Sequence, residues 1–410
     1  MTCAKPTTPN PPNRSNGKAE ANKSIPYTTT LLLMDLSLRQ LVEQLPSTRF
    51  GDSRHIGTCV MPDLLAENPT YASIIKNEFD TICVEHHMKW EPLTRRGECR
   101  YDFTESDFIV DWAIANGLKV KGHTLVWHVT SPTQTWLRGK TDLEICEQVR
   151  RHVHTTCGHF YGRITSWDVV NEALSPNANF AQTCFTSHKF TPVDFISDCF
   201  RWAQLADPNP KLIYNENKVE SRQFPKSQAM FQLLSELKSN HVPITGVGLQ
   251  SHFDASAVGW KRAASPPAML DQVNHLGREL GLGVNVSEMD VRVGRLSESE
   301  ANDVQHTAQS AIYGNSVRAC YQSEYFEGMT FWGFTDASTW VTKFYERDQP
   351  LLFDAQFGKK PAYFAVQQAL QDLVKGNTQF EDWTKSEWAP KSPVVSSSTA
   401  AIADLPDWKL

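Results

Sequence analysis

Apolar residues in this chain fall into short, nearly continuous runs that alternate with longer stretches of helical spacing. The first run is His55-Ile56-Gly57-Thr58-Cys59-Val60, followed by a helical stretch from about Tyr71 to Asn77. Further runs are Phe79 to Val84, Leu118 to His128, and Gly162 to Glu172, whose centre is Trp167-Asp168-Val169-Val170. Lys211 to Glu216, Ile244 to His252, Gly283 to Val291 and Gly328 to Phe334 complete the series. Unbroken apolar runs, rather than strict alternation, are what parallel strands covered on both faces require. Helical periodicity covers Asp107 to Asn116, Val193 to Leu205, Ser227 to Asn240 and Ala362 to Leu373. Leu36 to Leu45 has the same spacing and is expected to lie across one end of the fold.

Eight strand signals alternating with helices give the count of a single α/β (β/α)8 TIM barrel. An open doubly wound sheet would need fewer strands and a Gly-rich phosphate turn after the first strand, and the sequence has none. The expected layout is a disordered leader over 1–35, a barrel over 36–375 and a C-terminal extension over 376–410. The leader is rich in Pro, Asn, Thr, Ser and Lys, and the extension carries Trp383, Trp388 and Trp408 among Ser, Pro and Ala.

Charge adds little to this picture. Forty-six acids against forty bases give a net charge of −6 without a long basic run, so neither nucleic acid nor an anionic membrane is expected as a partner. No apolar stretch reaches bilayer-spanning length, and Leu31-Leu32-Leu33-Met34 is too short for a signal-peptide core. Compartment is left open, and a monomer is expected. Nine cysteines include no Cys-x-x-Cys pair or zinc-type Cys/His cluster, and spacing fixes no pairing among them, Cys184 and Cys199 included. Twelve Trp residues matter more, because exposed indole faces stack on sugar rings.

Candidate chemistry gathers where the runs end. Glu85 and Lys89 follow the second strand; His123, Trp127 and His128 end the third; Asn171 and Glu172 end the fourth. Gln250 and His252 end the sixth, and Glu288 and Asp290 lie in the seventh. In a barrel these ends converge on the C-terminal rim, where reactions are carried out. Glu172 and Glu288 then form a pair suited to glycoside hydrolysis, one protonated to release the leaving oxygen and one ionised to attack the anomeric carbon. His252 and Asp290 are placed to keep Glu288 ionised. Such chemistry needs no cofactor and no metal.

Gly122-His-Thr-Leu-Val-Trp-His128, Trp167-Asp-Val-Val-Asn-Glu172, Gly246-Val-Gly-Leu-Gln-Ser-His252 and Ser287-Glu-Met-Asp290 together resemble glycoside hydrolase family ten, the endo-β-1,4-xylanases. Trp332 to Asp336, Pro350 to Asp354 and Lys360 to Tyr363 extend the resemblance, which runs from about His55 to Leu373. It implies a retaining enzyme that cuts internal xylan linkages by double displacement, with Glu172 as acid/base and Glu288 as nucleophile. It further implies that Asn171 binds the sugar 2-hydroxyl, Gln250 contacts the acid/base, and His252 with Asp290 orients the nucleophile. Lys89, His123, Trp127, Trp332 and Trp340 would line the glycone subsites, with Glu85 one sugar further out. Family members are mostly secreted.

Three sites depart from the family pattern. His86 stands where Asn is usual, Val129-Thr130 replaces a polar residue and Gln, and Asn217 replaces a Tyr that stacks on the leaving-group side. These changes leave open a shifted β-glycan or aryl-glycoside preference. Two other readings are a non-catalytic glycan-binding barrel and a metal-dependent hydrolase built on His123, His128 and His252.

Overall fold

The structure, a computed structural model, describes residues 36–129, 136–137, 139–183, 185, 191–256, 263–294, 301–345 and 347–381. The expected leader, Cys184 and all three Trp residues of the extension lie outside the described residues.

Ten strands form in chain order: β1 (His55–Val60), β2 (Thr81–Val84), β3 (Lys119–Gly122), β4 (Val126–Trp127), β5 (Ser166–Asn171), β6 (Lys211–Glu216), β7 (Gly246–Leu249), β8 (His252–Asp254), β9 (Gly283–Arg292) and β10 (Phe326–Phe331). Eight of them pair in parallel in the order β1-β2-β3-β5-β6-β7-β9-β10. β10 returns to β1 in register from His55 opposite Gly328 to Thr58 opposite Phe331, so the sheet closes. The chain is a (β/α)8 TIM barrel. Closure leaves no unpaired edge in the eight-stranded ring, and side chains on its inner face become core.

β4 and β8 are short strands that extend the rim, pairing with the ends of β5 and β9. They are the outer parts of two runs expected to be single strands, 118–128 and 244–252. In the first, the ladder stops at Gly122 because the next residues turn onto Asp168. Thr124 Oγ1 donates to the Asp168 carbonyl at 2.8 Å and Leu125 N–H to the same carbonyl at 3.0 Å. In the second, Ser251 leaves the ladder at φ +63° and gives its amide to Glu220 Oε1 at 2.8 Å.

The outer layer consists of helices Pro69–Glu78, Thr104–Ala115, Asp142–His159, Pro192–Ala206, Pro225–Ser239, Pro266–Leu280, Asp303–Tyr321 and Pro361–Val374. Five of them start on Pro, whose fixed φ and missing N–H suit the first helical position. Thr141 with Glu144 and Asn302 with Gln305 form capping boxes on two of the others. The sequence pattern left three helices, 142–159, 266–280 and 303–321, without assigned ranges. The inward face of the first carries Gln148, His152 and Thr156 as well as Ile145, Val149 and Val153, which blurs its apolar period.

The short helix Leu38–Val42 is narrower than the expected 36–45 span. Its first amide donates to Glu78 Oε2 at 3.0 Å, and Tyr363 of the last helix donates its hydroxyl to the same oxygen at 2.8 Å. One buried carboxylate thus ties the two ends of the barrel sequence together. Among the described residues seven cysteines are free thiols, with Cys59, Cys83 and Cys199 in the interior.

Candidate active site

The strand ends place the candidate residues on one rim because parallel strands in register all finish at the same side of the barrel. β9 runs through Glu288 and Asp290, two residues apart, so both side chains leave the same face of the strand. Glu288 is 5 % exposed and accepts two strong hydrogen bonds. Asn215 Nδ2 donates to Oε1 at 2.6 Å, and His252 Nε2 lies 3.1 Å from Oε2. His252 Nδ1 in turn faces Asp290 Oδ2 at 2.9 Å, which also accepts from Trp340 Nε1 at 2.7 Å.

Opposing effects act on this triad. Burial alone would raise the Glu288 carboxyl, but the His252 hydrogen bond and the nearby His123, His252 and Lys121 outweigh it and hold it at about 2. Burial would likewise lower His252, yet Asp290 and Glu288 together push it up to about 10. Near neutral pH His252 is therefore an imidazolium and Glu288 an ionised carboxylate.

Glu172 closes the other side. Its backbone sits at φ +54°, held by its N–H donating to the Asn215 carbonyl at 3.0 Å. Only a small part of non-glycine residues adopt this region, and those held there cluster at functional sites. Gln250 Nε2 donates to Glu172 Oε1 at 2.8 Å and Trp127 Nε1 to Oε2 at 3.1 Å. Asn171 Oδ1 accepts from Asn215 at 2.8 Å and from Gln250 at 3.3 Å, so a run of amides links the two glutamates.

The remaining candidates line the same floor. Lys89 is buried with its ammonium 4.9 Å above the Trp127 ring and 5.9 Å from the centre of Trp332. Burial lowers its affinity for a proton, and Glu288, Glu85 and Glu172 oppose that. His123 packs edge-on against Trp332 at 4.9 Å and binds Asp168 at 2.9 Å. Trp340 stands edge-on to His252 at 5.1 Å. Glu85 is half-buried and accepts from the Cys59 thiol at 3.5 Å.

Four buried residues act in this network without having been singled out in the sequence. Asn215 grips Glu288, Ser287 donates to Asn215 Oδ1 at 2.6 Å, and Asp168 takes Lys121 at 2.9 Å as well as His123. Their signal is a polar residue inside an apolar run, as in Trp167-Asp168-Val169, where a strand has no other reason to bury charge. The three histidines of the metal reading are not grouped. The one cluster of metal-ligand spacing among the described residues is His123, Asp168 and Glu288, and Lys121 already places an ammonium on Asp168.

A closed eight-stranded barrel with two differently supported glutamates on its C-terminal rim is the architecture of a glycoside hydrolase. Residues 46–369 match the family model described as glycosyl hydrolase family 10, and the chain belongs to that family. It is 34 % identical over 309 residues to a beta-1,4-xylanase of Dictyoglomus thermophilum, a match covering 72 % of this chain and 83 % of that one. With endo-1,4-beta-xylanase B of Thermotoga neapolitana it shares 31 % over 346 residues, 83 % of this chain and 93 % of the relative. Among solved structures, native xylanase 10B from Thermotoga maritima aligns with a TM-score of 0.74 at 31 % identity, covering 83 % of this chain and all of that one. Xylanase 10B from Thermotoga petrophila in complex with xylobiose gives a TM-score of 0.74 at 30 % identity, covering 83 % of this chain and 98 % of that one.

Proposed function

We propose that this protein is a retaining endo-β-1,4-xylanase that uses Glu172 as acid/base and Glu288 as nucleophile. The observation that carries this reading is the unequal support of the two carboxyls. Glu288 is held ionised by an imidazolium and an amide, while among the described residues the donors to Glu172 are the neutral Gln250 and Trp127.

In the first step a Glu288 oxygen attacks the anomeric carbon as Glu172 gives its proton to the departing glycosidic oxygen, leaving a glycosyl ester on Glu288. In the second, the Glu172 carboxylate takes a proton from water, whose oxygen displaces Glu288 from the same carbon. Lys89, His123 and Asn171 offer polar contacts to the sugar hydroxyls, and Trp332 and Trp340 supply apolar faces beside them. Xylan is the favoured substrate, because the similar proteins are xylanases and one of them carries xylobiose. NMR of the first-formed product tests the mechanism: the β anomer is expected, and the α anomer would overturn it.

A second reading, the same chemistry with a shifted glycan preference, is favoured at two of the altered positions. His86 is neutral, with its proton affinity lowered to about 3 by burial and by Lys89, so it offers no positive charge to a sugar. Asn217 is turned inward, accepting from Lys226 Nζ at 2.8 Å, and provides no aromatic platform. Initial rates on xylan, mixed-linkage glucan and aryl xylobioside and cellobioside decide between the two. A clear preference for xylan at ordinary efficiency removes the second.

A further inference from the structure

Next to the segment that leaves Glu172 lies a buried ion pair that the proposed reaction does not use. Glu216, the last residue of β6, is fully buried, and Lys226 of helix Pro225–Ser239 is 6 % exposed. Lys226 Nζ lies 2.7 Å from Glu216 Oε1, which also accepts the Asn217 N–H at 3.0 Å. Glu216 Oε2 accepts from the Tyr214 hydroxyl at 2.7 Å and from the Leu174 N–H at 3.1 Å. All four acceptor positions are thus filled, as a buried carboxylate requires.

Two of Glu216's contacts lead to Glu172. Leu174 is two residues beyond Glu172, so its amide bond to Glu216 fixes the segment leaving the left-handed turn at Glu172. The Glu216 carbonyl accepts the Gln250 N–H at 3.0 Å, and the Gln250 side chain is what holds Glu172 Oε1. A rim network that only filled space would not need a charged pair, whose desolvation cost a hydrophobic pair avoids.

We infer that Glu216 and Lys226 are positioning residues for the acid/base: they anchor the Glu172 segment and set the electrostatic balance under which Glu172 must carry a proton in one step and lose it in the next. The inference rests on Glu172 being the acid/base. Glu172 accepts hydrogen bonds from Trp127 of β4 and Gln250 beyond β7, and its charge acts on His128, on Lys89 beyond β2, and on Tyr214 and Glu216 of β6. Burial lowers the proton affinity of His128; the charge of Glu172 opposes this and that of Lys226 adds to it. In the native pair each charge is compensated by the other at 2.7 Å. Removing one leaves the other uncompensated, and the two removals then act with opposite sign.

The test is the alkaline limb of kcat/KM, which follows loss of the Glu172 proton. Glu216→Gln leaves Lys226 positive, stabilises the Glu172 carboxylate and moves the limb to lower pH by roughly half to one unit. Lys226→Met leaves Glu216 negative and moves the limb up by a similar amount. The double variant, neutral at both positions, returns the limb to its native place and provides a folded control, with thermal unfolding measured alongside. Misplacement of the acid also costs turnover of an unactivated xylo-oligosaccharide at least tenfold more than turnover of a dinitrophenyl xylobioside, whose leaving group needs no proton. Limbs that stay fixed in both single variants, or equal losses on the two substrates, overturn the role of the pair. Glu172→Ala separates this from the parent reading: if it still cleaves the unactivated substrate normally, Glu172 is not the acid, whatever the pair does.

Discussion

At Glu288, burial and hydrogen bonding pull in opposite directions, and the hydrogen bonds win. The carboxyl falls from 4.5 to about 2, so its contribution to stability is complete above pH 4.5 and fades as pH falls through 2. His252 rises from 6.5 to about 10, so its contribution is complete below pH 6.5 and fades as pH rises through 10. Both are fully present between pH 4.5 and 6.5. Replacing His252 by Gln leaves two buried carboxylates facing each other and is expected to cost about 3–5 kcal/mol in that window. Thermal unfolding as a function of pH checks this: the gap to the native protein should narrow toward both pH 2 and pH 10. For the reaction itself, Glu172→Gln is expected to lower kcat/KM on xylan by roughly 10²–10⁴-fold, and Glu288→Gln to remove nearly all turnover. Steady-state rates near normal in either variant would defeat the assignment. Both glutamates were legible as chemistry because they stand where apolar runs end. Asn215 was not, because a single Asn before Glu216 looks like ordinary strand-end polarity until its partner is known.

At the scale of the element, β6 explains how one strand serves both glutamates. Consecutive side chains leave opposite faces, so Asn215 points into the barrel toward Glu288 while Glu216 points toward the helix layer and Lys226. Tyr214, two residues back, shares the outer face and donates to Glu216. The neighbouring strand must leave room for this. A Cβ on Gly248 of β7 would stand 2.2 Å from Asn215 Oδ1, nearer than any real contact. Gly248→Ala is therefore expected to push the Asn215 amide off Glu288 and lower kcat by about 10- to 100-fold, with a far smaller change in KM. Kinetics on an aryl xylobioside would show it, and an unchanged kcat would mean that the amide does not matter. Strands were the easier elements to read, because burial on both faces leaves little but apolar residues. Helix 142–159 was harder, since His152 and Thr156 are buried inside it, His152 stacked on Trp90 at 4.5 Å. The two broken strands were hidden for a different reason: the pull of Asp168 and Glu220 on the backbone comes from residues distant in sequence.

The first and last helices of the barrel meet at one carboxylate. Glu78 receives the amide of Leu38, the hydroxyl of Tyr363 and, at 3.0 Å, the ammonium of Lys359. Removing it by Glu78→Ala strands two buried donors and is expected to cost about 2–4 kcal/mol in urea unfolding while leaving KM for xylan unchanged, because the clasp is remote from the rim. A change in KM without a change in the unfolding midpoint would contradict this. What the sequence determined by itself is the barrel and the kind of chemistry: eight apolar runs can be buried on both faces only in such a layered fold, and carboxyls ending those runs must share a rim. What the tertiary structure alone decided is how those carboxyls differ. Asn215 meets Glu288 across 73 residues of chain and Gln250 meets Glu172 across 78. Such partners are set by which strands are neighbours in the closed ring and by their register. No local pattern of residues encodes either, so the different hydrogen-bond support of the two glutamates exists only once the barrel has closed.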